Sequence, residues 1–167
     1  MNASVVMMGV AGCGKSSLAA AVAAAGKMRL VEGDDWHSPE NRAKMSQGIP
    51  LTDADRDGWL RDLAQLLADE PAGLVLTCSA LRRSYRDRLR LACPGLRFVF
   101  LDIPYDAALQ RVTTRAAHYF SASLVDSQFA TLESPIGEDR VLRVDALAPL
   151  PVLQAEVTRW LHTAAPA

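Results

Sequence analysis

The sequence predicts an α/β fold: a five-stranded parallel sheet with helices on both faces and a lid. Three observations carry this expectation. Short apolar runs suited to buried strands alternate with stretches of helical pattern, the sign of parallel strands joined by crossover helices. Residues 9–16 read Gly-Val-Ala-Gly-Cys-Gly-Lys-Ser, the G-x-x-x-x-G-K-[ST] phosphate-binding loop with every required position filled. That loop lies between an apolar run and an alanine-rich run, the strand–loop–helix context the motif requires.

The elements follow in order. Ser4-Val5-Val6-Met7-Met8 is an apolar run for the first strand. A helix begins near Lys15 and continues through Ser17–Ala25, rich in the best helix former. Met28–Val31 is the second strand, ending at Glu32-Gly33-Asp34. Ser38 caps a short helix with Pro39 in its first turn, and Gly48 and Pro50 stop it. Thr52 caps a longer helix whose dipole Asp53 and Asp55 complement, with Trp59, Leu60, Leu63, Leu66 and Leu67 on its apolar face. Gly73–Cys78 is the third strand, followed by an arginine-rich helix over Arg83–Leu91. Arg97–Leu101 is the fourth strand, and Pro104 opens the next helix. Val141–Val144 is the fifth strand, and Pro151 starts a closing helix that turns Val152, Leu153, Val157 and Leu161 inward. Ligands of such sheets sit beyond the carboxyl ends of the strands. Gly9–Ser16, Glu32–His37, Ser79–Arg83 and Arg115–Ser123 all fall at that end.

Bulk properties narrow the classes. A chain of 167 residues is expected to form one domain over 1–167, with the lid at about 115–125. Its net charge of −1 gives no general pull toward nucleic acid. No apolar run reaches membrane-spanning length. The apolar N-terminal run leads straight into the phosphate loop, so no targeting segment is expected there. Cys13, Cys78 and Cys93 form no C-x-x-C pair, which fits free thiols in a reducing cytoplasm.

The chemistry begins at the loop. Its glycines let the backbone approach a ligand, so main-chain N–H groups form an anion nest at a helix N-terminus. Gly9, Ala11, Gly12, Cys13, Gly14, Lys15, Ser16 and Ser17 are the candidate nucleotide-binding residues. Lys15 is expected at the β- and γ-phosphates, and the Ser16 hydroxyl at Mg²⁺, with Glu32 or Asp34 completing that site through water. Cys13 reads more simply as a small filler side chain. The chain has no N-K-x-D or D-x-x-G sequence, which disfavours a GTPase. Glu32-Gly33-Asp34-Asp35 after the second strand can orient an acceptor hydroxyl and hold metal-bound water, or can be a solvated turn.

Lys44, Arg56, Arg82 and Arg83 can approach the same end of the sheet. Arg86 and Arg90 read as a solvated helix face. Arg82, right after the third strand, can hold a carboxylate through two parallel hydrogen bonds. His37 is either a hydrogen-bond partner for a polyol hydroxyl or a structural histidine. Trp36 and Trp59 read as packing residues. Arg111 and Arg115 are a helical turn apart, so one face can aim both at ATP phosphates. The alternative is an exposed helix end with two cations near its carbonyls.

With these residues in view, the chain resembles the small gluconokinases of the P-loop kinase fold, within a wider shikimate- and nucleotide-kinase-like group. The specific stretches are Glu32–Asn41, Lys44-Met45 with Gly48–Arg56, Cys78–Asp87, His118-Tyr119-Phe120 and Ser127–Glu133. The resemblance implies transfer of a phosphoryl group from ATP, with Mg²⁺, to the 6-hydroxyl of D-gluconate. It also implies a mobile lid and a homodimer. By position, Asp34 matches the carboxylate that orients or deprotonates the acceptor, and Arg115 the lid arginine. Together with the residue reading, this makes Asp34, Lys15 and Arg115 the catalytic candidates. Asp34, His37, Lys44, Arg56, Ser79, Arg82 and His118 are the acceptor candidates. Arg82-Arg83 stands where Lys-Lys is common, Gly58 where proline is usual, and Ala117 where glycine is usual. The competing readings are a kinase of another small acceptor, such as shikimate or a different sugar acid, and a non-catalytic nucleotide-binding module.

Overall fold

A computed structural model describes residues 3–114 and 122–163. Five parallel strands run in the order β2-β3-β1-β4-β5: β1 (Val5–Met8), β2 (Arg29–Glu32), β3 (Leu74–Thr77), β4 (Arg97–Asp102) and β5 (Val141–Asp145). All four pairings are parallel. The helices are α1 (Lys15–Gly26), α2 (Pro39–Ser46), α3 (Asp53–Ala68), α4 (Arg83–Ala92), α5 (Tyr105–Thr114), α6 (Ala122–Thr131) and α7 (Leu150–His162). A short 3₁₀ turn over Gly33–Trp36 follows β2 directly.

The period of two along the strands sorts the core into two layers. Val5, Met7, Val75, Val99 and Leu101 face α1, α5 and α7, where they meet Leu18, Val22, Ala108, Val112, Leu153 and Val157. Val6, Met8, Leu74, Leu76, Phe98 and Phe100 face α3 and α4, where they meet Trp59, Leu60, Leu63, Tyr85 and Leu89. β1 is flanked on both sides and covered on both faces, so each of its four side chains is fully buried. Its carboxyl end delivers the phosphate loop to the top of the sheet.

The helix starts obey local chemistry. The Ser38 hydroxyl accepts from the Asn41 N–H, with Pro39 in the first turn of α2. Thr52 and Asp55 form a reciprocal capping box at α3. α7 starts at Leu150 with Pro149 at its N-cap, one residue before the expected Pro151. Val152 is accordingly exposed rather than inward, while Leu153 and Val157 are buried. α6 was not expected as a helix; its Leu124 and Val125 are buried.

The expected solvated face of α4 is the largest correction. Arg86 is completely buried. Its guanidinium donates to Ala80 O (2.7 Å), Glu133 O (3.0 Å) and both Glu138 carboxylate oxygens (3.0 and 2.6 Å). Arg90 donates to the same carboxylate at 2.8 Å and lies over the Phe98 ring. Glu133 also accepts from the Arg83 N–H, so α4 is clamped to the segment that follows α6. Burial alone would raise the Glu138 pKa, but the two guanidiniums outweigh it and hold the carboxyl below its usual range. Of the two tryptophans read as packing residues, Trp59 is buried and Trp36 is 40% exposed.

Candidate active site

The phosphate loop closes tightly between β1 and α1. Gly14, at the N-cap of α1, has φ +95°, a region open to glycine and strained for other residues. A Cβ at Gly12 would stand 2.9 Å from Ala108 O, so α5 presses on the loop from outside. The Gly9 N–H donates to Ser79 O at 3.3 Å, tying the loop to the end of β3. Lys15 folds back over the loop, its Nζ donating to Gly9 O (2.9 Å) and Val10 O (3.1 Å). Cys13 is buried, as a filler side chain should be, and Ser17 is exposed on α1. Arg111 reaches in from α5 and donates to Gly12 O (3.1 Å) and Ala146 O (3.3 Å). It therefore stands beside the loop.

Beneath the loop, the Ser16 hydroxyl donates to Glu32 Oε2 at 3.0 Å. Thr77 donates to that oxygen at 2.6 Å and accepts from the Gly33 N–H, which locks β2 against β3. A Cβ at Gly33 would fall 2.1 Å from Thr77 O, so only glycine fits this crossing. The hydroxyl–carboxylate pair of Ser16 and Glu32 is a hard oxygen set suited to Mg²⁺. Among the described residues, no group of three or more His, Cys, Asp or Glu could hold a metal.

A pocket open to solvent adjoins the loop. Lys15, Asp34, His37, Arg56, Ser79 and Trp59 line it, together with Leu124, Ser127 and Gln128 of α6. Asp34, on the 3₁₀ turn, has a side chain 58% exposed, its Oδ1 3.9 Å from His37 Nε2. His37 is buried and stacks on Trp59 with ring centroids 4.2 Å apart. Its Nδ1 lies 3.4 Å from Asn41 Nδ2, and Asn41 also donates to Asp55 O. Burial holds the His37 pKa down to about 4; Asp34 pulls it up, and Arg56 and Arg42 push it down further. The imidazole is therefore neutral near pH 7. Trp59 donates its indole N–H to Gly33 O, so α3 supports the turn that carries Asp34.

Six of the seven acceptor candidates thus have a placement. Asp34, His37, Arg56 and Ser79 share one cavity, with Arg56 also donating to the Tyr85 hydroxyl at 3.2 Å. Tyr85 in turn donates to Asp53. Lys44 does not line the cavity; both Asp55 oxygens hold it, at 2.9 and 2.8 Å. That hydrogen bond, foremost, keeps the Asp55 carboxyl down at about 2. Arg82 also lies off the cavity lining, half exposed and 3.9 Å from Asp53. Arg115 and His118 lie outside the described residues, as does residue 115–121 of the expected lid; its remainder, 122–125, is the first turn of α6. Gln128 and Ser127 had no role in the sequence reading. The signal for them was the Ser127–Glu133 stretch, which marked a likeness without saying what those side chains reach.

A phosphate loop at the end of a central parallel strand, a lysine folded over it and an acid at the end of β2, the next strand in the chain, define a P-loop phosphotransferase. The AAA domain family matches residues 5–135. A probable gluconokinase of Schizosaccharomyces pombe is 42% identical over 81% of this chain and 75% of its own length. A gluconokinase of Gluconobacter oxydans is 41% identical over 92% of this chain and 88% of its own. The crystal structure of a gluconokinase from Sinorhizobium meliloti superposes with a TM-score of 0.88 at 45% identity, covering 96% of this chain and 91% of the other. The chain belongs to the gluconokinase family.

Proposed function

We infer that the protein transfers the γ-phosphoryl group of ATP to the 6-hydroxyl of D-gluconate, giving 6-phosphogluconate and ADP. One observation carries the reading: Lys15 of the phosphate loop and Asp34 from the end of β2 line a single cavity. Names of relatives agree with the acceptor. The nucleotide's phosphates lie in the nest of loop amides, under Lys15 and beside Arg111. The Ser16 hydroxyl, with the Glu32 carboxylate behind it, would hold Mg²⁺, which would supply positive charge against the phosphates.

Gluconate then lies over Asp34, with His37, Arg56 and Ser79 around its hydroxyls and carboxylate. As O6 bonds to the γ-phosphorus, the bond from phosphorus to the ADP oxygen breaks, and Asp34 accepts the O6 proton. Positioning and charge neutralisation supply most of the acceleration in such a transfer. Arg115 and His118 complete the site from a lid that excludes water on closing. Lys44 and Arg82 act at the rim of this site, where Asp55 and Asp53 compete for them. The resemblance extends to a homodimer working in the cytoplasm; among the described residues, no helix is long and apolar enough to cross a membrane.

An acceptor panel with ATP and Mg²⁺ tests the reading. D-gluconate should give phosphorylated product far faster than shikimate or other sugar acids. Measurable ATP binding with no phosphorylated product from any acceptor would instead favour a non-catalytic nucleotide-binding module.

A further inference from the structure

Gln128 bridges the phosphate loop and the acceptor cavity. It sits on α6, and its Oε1 accepts from the Ala11 N–H of the phosphate loop at 2.6 Å, across 117 positions of sequence. An N–H can only donate, so the orientation of the side-chain amide is fixed by its partner: the oxygen faces the loop. The NH₂ group carries two donors, and no hydrogen bond uses them among the described residues. The same side chain is half-buried and lines the cavity shared by Lys15, Asp34, His37 and Arg56.

The residue type suits both ends. An apolar side chain would leave the Ala11 amide without this partner. A carboxylate would supply an oxygen but set a negative charge beside the phosphates. Glutamine supplies the oxygen without charge and keeps two donors for a ligand rich in acceptor oxygens.

We propose that Gln128 is a specificity-determining residue for the acceptor: its NH₂ donates to a hydroxyl or carboxylate oxygen of the sugar acid while its carbonyl oxygen holds the phosphate loop. This rests on gluconate as the acceptor. It gives α6 a direct part in recognition and couples the seat of the acceptor to the shape of the nucleotide loop. An analogue lacking the contacted oxygen covers this donor without pairing it and is rejected on that ground.

The test is a cycle of protein and acceptor changes. Gln128→Met keeps length and volume and removes both polar atoms; Gln128→Ala is a second arm should the first fold poorly. Melting temperature checks folding. Values of kcat/KM are compared for D-gluconate, its monodeoxy analogues, and sorbitol, which lacks the carboxylate. Wild-type turnover of gluconate in the same series checks the activity on which the proposal rests. The variant should lose about tenfold or more on gluconate, and that loss should shrink, for the one acceptor missing the contacted oxygen, to the part owed to the lost Ala11 contact, which all acceptors share. A loss of equal size on every acceptor would make Gln128 a prop for the loop alone and overturn the proposal, as would no loss on gluconate.

Discussion

His37 shows how one buried side chain ties the acceptor pocket to stability. It is stacked on Trp59 and buried beside Asp34, and its folded pKa of about 4 lies below the ordinary 6.5. As pH falls, the unfolded chain therefore binds the proton first. The stabilising contribution is complete above pH 6.5 and drains away between 6.5 and about 4. Between pH 7 and 5 this amounts to about 2 kcal/mol. Urea unfolding of wild type and His37→Gln at both pH values checks it: the wild type should lose about that much more than the variant on acidification. The residue choice was legible as a pair of alternatives, ligand or structural histidine. The pocket and the stack on Trp59 show that His37 can serve as both.

At the scale of elements, α4 is held by a charged anchor rather than by its apolar face alone. Arg86 satisfies two carbonyls and a carboxylate in a site with no access to water. Arg86→Met would keep most of the volume but strand Glu138 with Arg90 alone and leave Ala80 O and Glu133 O without this donor. Breaking a buried pair in this way costs about 3–5 kcal/mol. Denaturant unfolding should show that loss, together with weaker binding of gluconate, because the same clamp carries Ser79 and the end of α6. This anchor was invisible in the sequence for a physical reason. Arg86 and Arg90 show helical spacing, and nothing local reveals that Glu138, 52 positions away, will be folded over them. The strands and capped helices were legible because apolar runs, Ser38, Thr52 and the glycine loop act within a few residues of themselves. α6 was not, because Leu124, Val125, Phe129 and Leu132 make a broken stripe without a cap signal.

Across the whole molecule, the parallel sheet does one thing for function: it brings the carboxyl ends of β1, β2 and β3 to a single edge. Each end contributes a different group. β1 leads into the loop with Lys15, β2 ends in Glu32 and Asp34, and β3 leads to Ser79. Gly33, Thr77 and Trp59 keep those ends in register. The order of strands needed the structure, but the motif-bearing ends were recognisable from the sequence, since each follows an apolar run. What sequence reading could not rank were the basic residues: Arg56 reaches the cavity, whereas Lys44 and Arg82 are drawn toward Asp55 and Asp53.

The proposed transfer depends most on Asp34 receiving the acceptor's proton beside the nucleotide. The direct measurement is product formation by Asp34→Asn from D-gluconate, ATP and Mg²⁺, alongside its nucleotide affinity and melting temperature. The expected result is an intact fold, unchanged nucleotide binding and a kcat reduced by roughly 10²-fold or more. Near-wild-type turnover by that variant would contradict this role for Asp34.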